Sequence, residues 1–177
     1  MAFAVGQTAI IVPVGAAESI VGRWRTRFDP AAAAGVPAHV TIIYPFLPGK
    51  DINEDVAGEV RRLVARHPSF TVTFTGFGRF PGVLFLVPDP DHPFRALTTE
   101  VFRRWPEAPP YGGLITDPVP HLTITHGASP KDAAEAELDV RARLPFSCPI
   151  QQAWLIGFDG MRWNPWASLP LGAADPT

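Results

Sequence analysis

The feature that most constrains the fold is a short sequence that occurs twice. Residues 36–42 read VPAHVTI and residues 119–124 read VPHLTI, so in each copy a histidine stands two positions before a threonine. Apolar residues lie between and after these two positions. Each copy is followed, within about a dozen residues, by the start signals of a helix. An internal repeat of this kind predicts two similar lobes within one fold.

A β-strand explains the spacing inside each copy. Residues i and i+2 of a strand point to the same face, roughly 7 Å apart. His39 and Thr41 are therefore expected to share one face, with Val40 pointing into the core. His121 and Thr123 are expected to do the same in the second copy. Where two such strands meet, two imidazoles and two hydroxyls face a single pocket.

The rest of the chain predicts short strands interleaved with amphipathic helices. Apolar runs and alternations predict strands at residues 9–12, 39–46, 70–75, 82–87, 121–125, 150–158 and 161–169. Helices are expected to begin near Ala17, Asp51, Asp91 and Ser129. The first should turn its three arginines, Arg23, Arg25 and Arg27, mostly to solvent. Because the strands are short and some follow each other directly, we expect an α+β fold with antiparallel or mixed sheets.

Length, charge and cysteine content limit the class of protein. The chain has 177 residues, a net charge of −2 and one cysteine, Cys148. This length fits one domain, residues 1–177, made of two intertwined lobes. A slightly acidic chain is not expected to hold duplex DNA by neutralising phosphates. No apolar run is long enough for a membrane span, and no basic residue before Arg23 supports a signal peptide, so we expect a cytoplasmic protein without a membrane partner.

The paired histidines and threonines suit acid–base chemistry on a phosphodiester. One imidazole would take a proton from the nucleophile, and the other would protonate the leaving oxygen. A plot of kcat/KM against pH should then be bell-shaped, with both of its apparent pKa values near the ordinary histidine value of about 6.5. A threonine hydroxyl can donate to a phosphoryl oxygen. One alternative is that both histidines are core residues bonded to the backbone. Another is a zinc site of His39, His121 and His126, for which no carboxylate has a matching spacing.

The two copies, HVTI from His39 and HLTI from His121, resemble the paired HxTx motifs of the 2H phosphoesterase superfamily. They are most similar to its bacterial 2′-5′ RNA ligase-like branch. The N-terminal strand and helix, the aromatic residue after the first motif and the proline before the second fit the same pattern. The resemblance covers roughly residues 7–170.

This resemblance implies a bilobal α+β fold, with two pseudo-symmetric antiparallel lobes flanking a central cleft and the helices outside. It also implies cleavage of 2′,3′-cyclic phosphates or 2′-5′ linkages without a metal or other cofactor. By the same resemblance, His39 and His121 would transfer protons, and Thr41 and Thr123 would bind the phosphate. The partner would be a small nucleotide or an RNA 3′ end carrying a cyclic phosphate, bound by a monomer.

Two more residues are candidates for substrate contact. Many RNA-directed members of the family have an arginine after the second motif, where this chain has His126. Tyr44 follows the first motif, but its offset of five residues from His39 predicts the opposite face of a regular strand. Two other functions stay open: a non-catalytic module that binds nucleotides or RNA ends, and a reversible 2′-5′ RNA ligase.

Overall fold

A computed structural model describes residues 3–173 and shows one mixed helix and sheet architecture. The strands are β1 (Thr8–Pro13), β2 (His39–Ile43), β3 (Phe70–Phe80), β4 (Val83–Asp89), β5 (Leu122–His126), β6 (Phe146–Ile150), β7 (Gln152–Phe158) and β8 (Trp163–Pro170). The α-helices are α1 (Glu18–Phe28), α2 (Pro30–Ala33), α3 (Glu54–Val64), α4 (His92–Arg104) and α5 (Pro130–Arg141). No helix in this part of the chain is long and apolar enough to cross a membrane.

The strands form a single antiparallel sheet with a central seam. Their order is β6-β3-β4-β5-β2-β1-β7-β8, so the two motif strands lie side by side in the middle. One residue pair, Val40 with Leu122, joins β2 to β5. Four strands lie on each side of this seam, and the motif strand is the innermost strand of each half. The expected α+β fold with two pseudo-symmetric lobes is confirmed.

The two faces of the sheet have different roles. Val40, Ile42, Leu122 and Ile124 are buried in the main core together with the apolar sides of the helices. Helix α1, from the half that contains β2, packs against β5, and α4, from the other half, packs against β2. Each motif strand is thus backed by a helix of the opposite half. The opposite face of the sheet, which carries His39, Thr41, His121 and Thr123, lines an open cleft.

Several element boundaries differ from the sequence prediction. Helix α3 begins at Glu54 because the side chain of Asn53, not Asp51, accepts the Val56 N–H at 2.9 Å and caps it. The strand expected over residues 39–46 ends at Ile43. The C-terminal region holds three strands instead of two. The additional strand, β6, contains Pro149, which an outermost strand tolerates because its missing N–H is not needed on the open side.

Candidate active site

The seam between β2 and β5 brings the two motifs together. Because Val40 lies opposite Leu122 in antiparallel register, His39 lies next to Thr123 and Thr41 next to His121 on the cleft face. The two imidazoles then occupy diagonal positions, which in antiparallel sheets are roughly 7–8 Å apart. All four side chains line one cavity of about 480 Å³.

Both imidazoles are held in the same way. His39 Nδ1 lies 2.7 Å from the Pro37 carbonyl oxygen, and His121 Nδ1 lies 2.8 Å from the Val119 carbonyl oxygen. A carbonyl only accepts hydrogen bonds, so each Nδ1 carries the proton and donates. In the neutral ring this leaves the Nε2 lone pair of each histidine free to take a proton. The repeated VP segment therefore fixes the tautomer of both rings.

The cavity also contains Tyr44 and His126, and the same backbone irregularity places both of them there. In β2, Ile42 is an extra residue relative to β1, and in β5, Ile124 is an extra residue relative to β4. Such a bulge shifts the alternation by one position. The prediction that Tyr44 lies on the opposite face from His39 was wrong for this reason. Tyr44 and His126 occupy equivalent positions of the two lobes.

Burial lowers the pKa of both candidate catalytic histidines. The pKa of His39 falls from 6.5 to about 4, first because the ring is removed from water and then because the Arg25 charge disfavours its protonated form. The pKa of His121 is lowered by burial and partly restored by its bond to Val119 and by Asp29. The expectation that both groups titrate near 6.5 is therefore wrong for the free protein. Near neutral pH both rings are uncharged.

A buried ion pair lies behind His39. Arg25 Nε and Nη2 lie 3.1 and 2.9 Å from Asp29 Oδ2, and the two residues are only 1% and 6% exposed. Asp29 Oδ1 also accepts the Ala31 N–H at 3.0 Å, and Asp29 lines the cavity. The expectation that Arg25 faces solvent was wrong, because its guanidinium is held by a carboxylate four residues further along the chain. That spacing was the available sequence signal.

A loop residue that the sequence did not single out completes the wall beside Thr41. Burial raises the pKa of the Tyr111 phenol, and the neighbouring Thr41 side chain partly offsets this increase. The Tyr111 backbone N–H donates to the Tyr44 carbonyl at 2.7 Å. Among the residues described, Tyr111 is the one non-glycine residue with a positive φ, at 52°. The proline-rich loop that carries it has no periodicity from which this placement could be inferred.

Two phenylalanines pack against the His121 ring. The ring centroids of Phe80 and Phe85 each lie 5.1 Å from the imidazole, at interplanar angles of 87° and 54°. The Phe85 ring passes over β3 at Gly78, where an added Cβ would lie 2.2 Å from Phe85 Cε2. Gly78 therefore makes room for the ring that supports His121.

The cavity residues do not form a cluster for a metal ion. Within residues 3–173, no three His, Cys, Asp or Glu side chains are grouped closely enough to hold a metal. The alternative zinc site of His39, His121 and His126 is therefore not formed, although all three side chains line the cavity.

Comparison with known families identifies the family of this chain. A sequence model of the 2′-5′ RNA ligase superfamily matches residues 12–162, which is most of the chain. The chain belongs to the 2′-5′ RNA ligase superfamily, and the resemblance to 2H phosphoesterases is confirmed.

The individual relatives and solved structures share less than a third of their residues with this chain. The protein TT0787 of Thermus thermophilus superposes with a TM-score of 0.63 at 16% identity, over 94% of this chain and 98% of that chain. Escherichia coli LigT, solved with 3′-AMP, superposes with a TM-score of 0.59 at 17% identity, over the same 94% and 98%. A curated relative from Geobacillus kaustophilus (strain HTA426), named "Putative phosphoesterase GK0864", is 27% identical over 123 residues. The match covers 65% of this chain and 65% of that relative.

Proposed function

We propose that this protein is a phosphodiesterase that opens 2′,3′-cyclic phosphates, or cleaves 2′-5′ linkages, by acid–base catalysis between two histidines. The observation that carries the proposal is the matched pair of imidazoles in one cleft. Each is fixed by a bond from Nδ1 to a carbonyl two residues back, which leaves Nε2 as the working atom. The cleft spans both halves of the sheet, so residues 1–177 are proposed to act as one unit.

His39 is the base in this mechanism. The neighbouring Arg25 charge disfavours the imidazolium of His39, so this ring stays neutral and able to accept a proton. The oxygen of a water molecule attacks phosphorus while His39 Nε2 takes one of its protons. The bond from phosphorus to one ribose oxygen then breaks. The product is a phosphate monoester on the other ribose oxygen.

His121 is the acid that protonates the leaving ribose oxygen. Both Asp29 and the bond to the Val119 carbonyl favour the imidazolium of His121. Thr41 and Thr123 lie beside the two rings and donate to the non-bridging phosphate oxygens. Tyr111, through its contact with Thr41, orients that hydroxyl. Tyr44 and His126 contact the rest of the substrate from equivalent positions of the two lobes.

Structures of LigT support a nucleotide as the ligand. That Escherichia coli protein has been solved with 3′-AMP, with NADP+ and with ATP. We extend nucleotide binding to this chain because its cavity of about 480 Å³ lies within the usual size range for small-molecule sites.

The proposal is tested by incubating the pure protein, in EDTA, with the four nucleoside 2′,3′-cyclic phosphates, a 2′-5′ dinucleotide and an RNA ending in a cyclic phosphate. We expect ring opening or cleavage of at least one substrate, lost in the His39→Ala variant. Turnover of none would contradict the proposal. Tight binding of a nucleoside monophosphate without any turnover would favour the non-catalytic binding module instead.

A further inference from the structure

The cleft is almost without fixed charge. Apart from its three histidines, the charged side chains that line it are two aspartates, Asp29 and Asp117. Across residues 3–173, no lysine or arginine contributes to the lining. Residues 1–2 and 174–177 contain no lysine or arginine in their sequence. Proteins that bind several phosphates normally place arginine or lysine beside them.

Three arginines near the cleft, Arg25, Arg95 and Arg79, are engaged elsewhere. Arg25 is buried against Asp29 and does not line the cleft, although its charge still acts on His39. Arg95 Nε lies 2.6 Å from Asp91 Oδ2, and its Nη1 lies 2.9 Å from Asp117 Oδ1 at the rim. Arg79 is paired with Glu137 on α5. Each of these three guanidinium groups is therefore already held by a carboxylate.

The lining is mainly apolar and aromatic. In the half that contains β2, the wall is formed by Ile11, Ile156, Trp163 and Tyr44, with Phe3 packed on the two aromatic rings. In the other half it is formed by Phe80, Val83 and Ile115. Such walls stabilise flat or apolar groups and disfavour charged groups, which lose their hydration there.

From these observations we infer that the substrate is a small phosphodiester with a single negative charge, carrying an aromatic or apolar group, and that every further phosphate on it weakens binding. This inference rests on the proposed function and narrows its substrate class. A phosphodiester brings one charge, which hydroxyls and one imidazolium can stabilise. A 5′-phosphate or an RNA strand would bring additional charges into a cleft that has no lysine or arginine among its described lining residues.

The test compares three substrates: adenosine 2′,3′-cyclic phosphate, its 5′-phosphorylated form, and a trinucleotide ending in a cyclic phosphate. We expect kcat/KM to be at least about tenfold lower for the two longer or more charged substrates at low salt. We also expect kcat/KM for the simplest substrate to change little between about 50 mM and about 500 mM salt. Faster cleavage of the more charged substrates, with a steep fall in added salt, would overturn the inference.

A charge variant gives a matched control. Ile115 lines the cleft and is 46% exposed, whereas its neighbour Leu114 is 90% exposed and lies outside the lining. Ile115→Arg should raise kcat/KM for the 5′-phosphorylated substrate relative to the simple one by at least about fivefold. Leu114→Arg adds the same charge outside the cleft and should leave that ratio unchanged. An unchanged ratio in Ile115→Arg would contradict the inference.

Binding separates this inference from the proposed function. Calorimetry with 3′-AMP and with adenosine 3′,5′-bisphosphate requires no turnover. We expect the bisphosphate to bind at least about tenfold more weakly. If no cyclic phosphate is cleaved but this difference holds, the proposed catalysis fails and the charge selectivity stands. If cleavage occurs and the bisphosphate binds more tightly, catalysis stands and the charge selectivity fails.

Discussion

Replacing His39 by asparagine should make the protein lose less stability than the wild type when the pH is lowered. The asparagine Nδ2 can still donate to the Pro37 carbonyl, which His39 Nδ1 reaches at 2.7 Å, but an amide does not titrate. The pKa of His39 is about 4 in the folded state, against about 6.5 in the unfolded chain. Between these values the unfolded state binds a proton that the native state does not.

The sign of the effect follows from that difference. Above about pH 6.5 both states are neutral at this position, so the histidine adds no pH dependence. As the pH falls towards 4, the free energy of unfolding of the wild type decreases by an amount that reaches about 2–3 kcal/mol. Below about 4 the native ring is protonated too, and the loss stops. The asparagine variant lacks this loss.

Urea denaturation followed by tryptophan fluorescence measures the effect at about pH 7.5 and about pH 4.5. The difference in free energy of unfolding between variant and wild type should shift by about 2–3 kcal/mol in favour of the variant at the lower pH. His121→Asn should shift in the same direction, because burial lowers that pKa as well. A difference that is equal at both pH values, or that moves the other way, would refute the pKa assignment.

Three further results are expected. The pH optimum of kcat/KM should lie below about 6.5, because the active free protein carries one proton on its two histidines and both of their pKa values are lowered. Initial-rate measurements that place the optimum above pH 7 would contradict this. Gly78→Ala should push Phe85 off His121, and should therefore lower the free energy of unfolding by about 1–3 kcal/mol and also lower kcat/KM. Gly76→Ala is the control: its added Cβ meets nothing within 4 Å, so both quantities should stay unchanged. Trp24→Phe should destabilise the protein more than Trp163→Phe does. The Trp24 side chain donates a 2.8 Å hydrogen bond from Nε1 to Asp139, whereas Trp163 Nε1 is buried without an acceptor among the described residues. Equal losses of stability in thermal denaturation would contradict this explanation.

The central part of the fold could be predicted because strand periodicity is rigid. Once His39 and Thr41 were assigned to a strand, their common face followed, and the repeat at His121 and Thr123 predicted a second strand of the same kind. The helices could be anticipated from apolar stripes. Ser129 caps α5 as expected, accepting the Asp132 N–H at 3.1 Å.

The parts that the sequence did not reveal depend on tertiary structure. The bulges at Ile42 and Ile124 arise from pairing with neighbouring strands, so the placement of Tyr44 in the cleft could not follow from alternation. Arg25 belongs to an exposed-looking run of arginines and is buried only because Asp29 is folded against it. Tyr111 reaches Thr41 through a loop conformation with no repeating pattern.

The central claim is that His39 and His121 divide proton removal and proton delivery between them. It is tested most directly by kcat/KM of His39→Ala and His121→Ala on two substrates, a nucleoside 2′,3′-cyclic phosphate and bis(p-nitrophenyl) phosphate. On the cyclic phosphate each variant should lose about 10²–10⁴ in rate. On the aryl ester, whose leaving group needs no proton, His121→Ala should retain most of its activity and His39→Ala should not. A folded His39→Ala protein with near-full activity on the cyclic phosphate would contradict the claim.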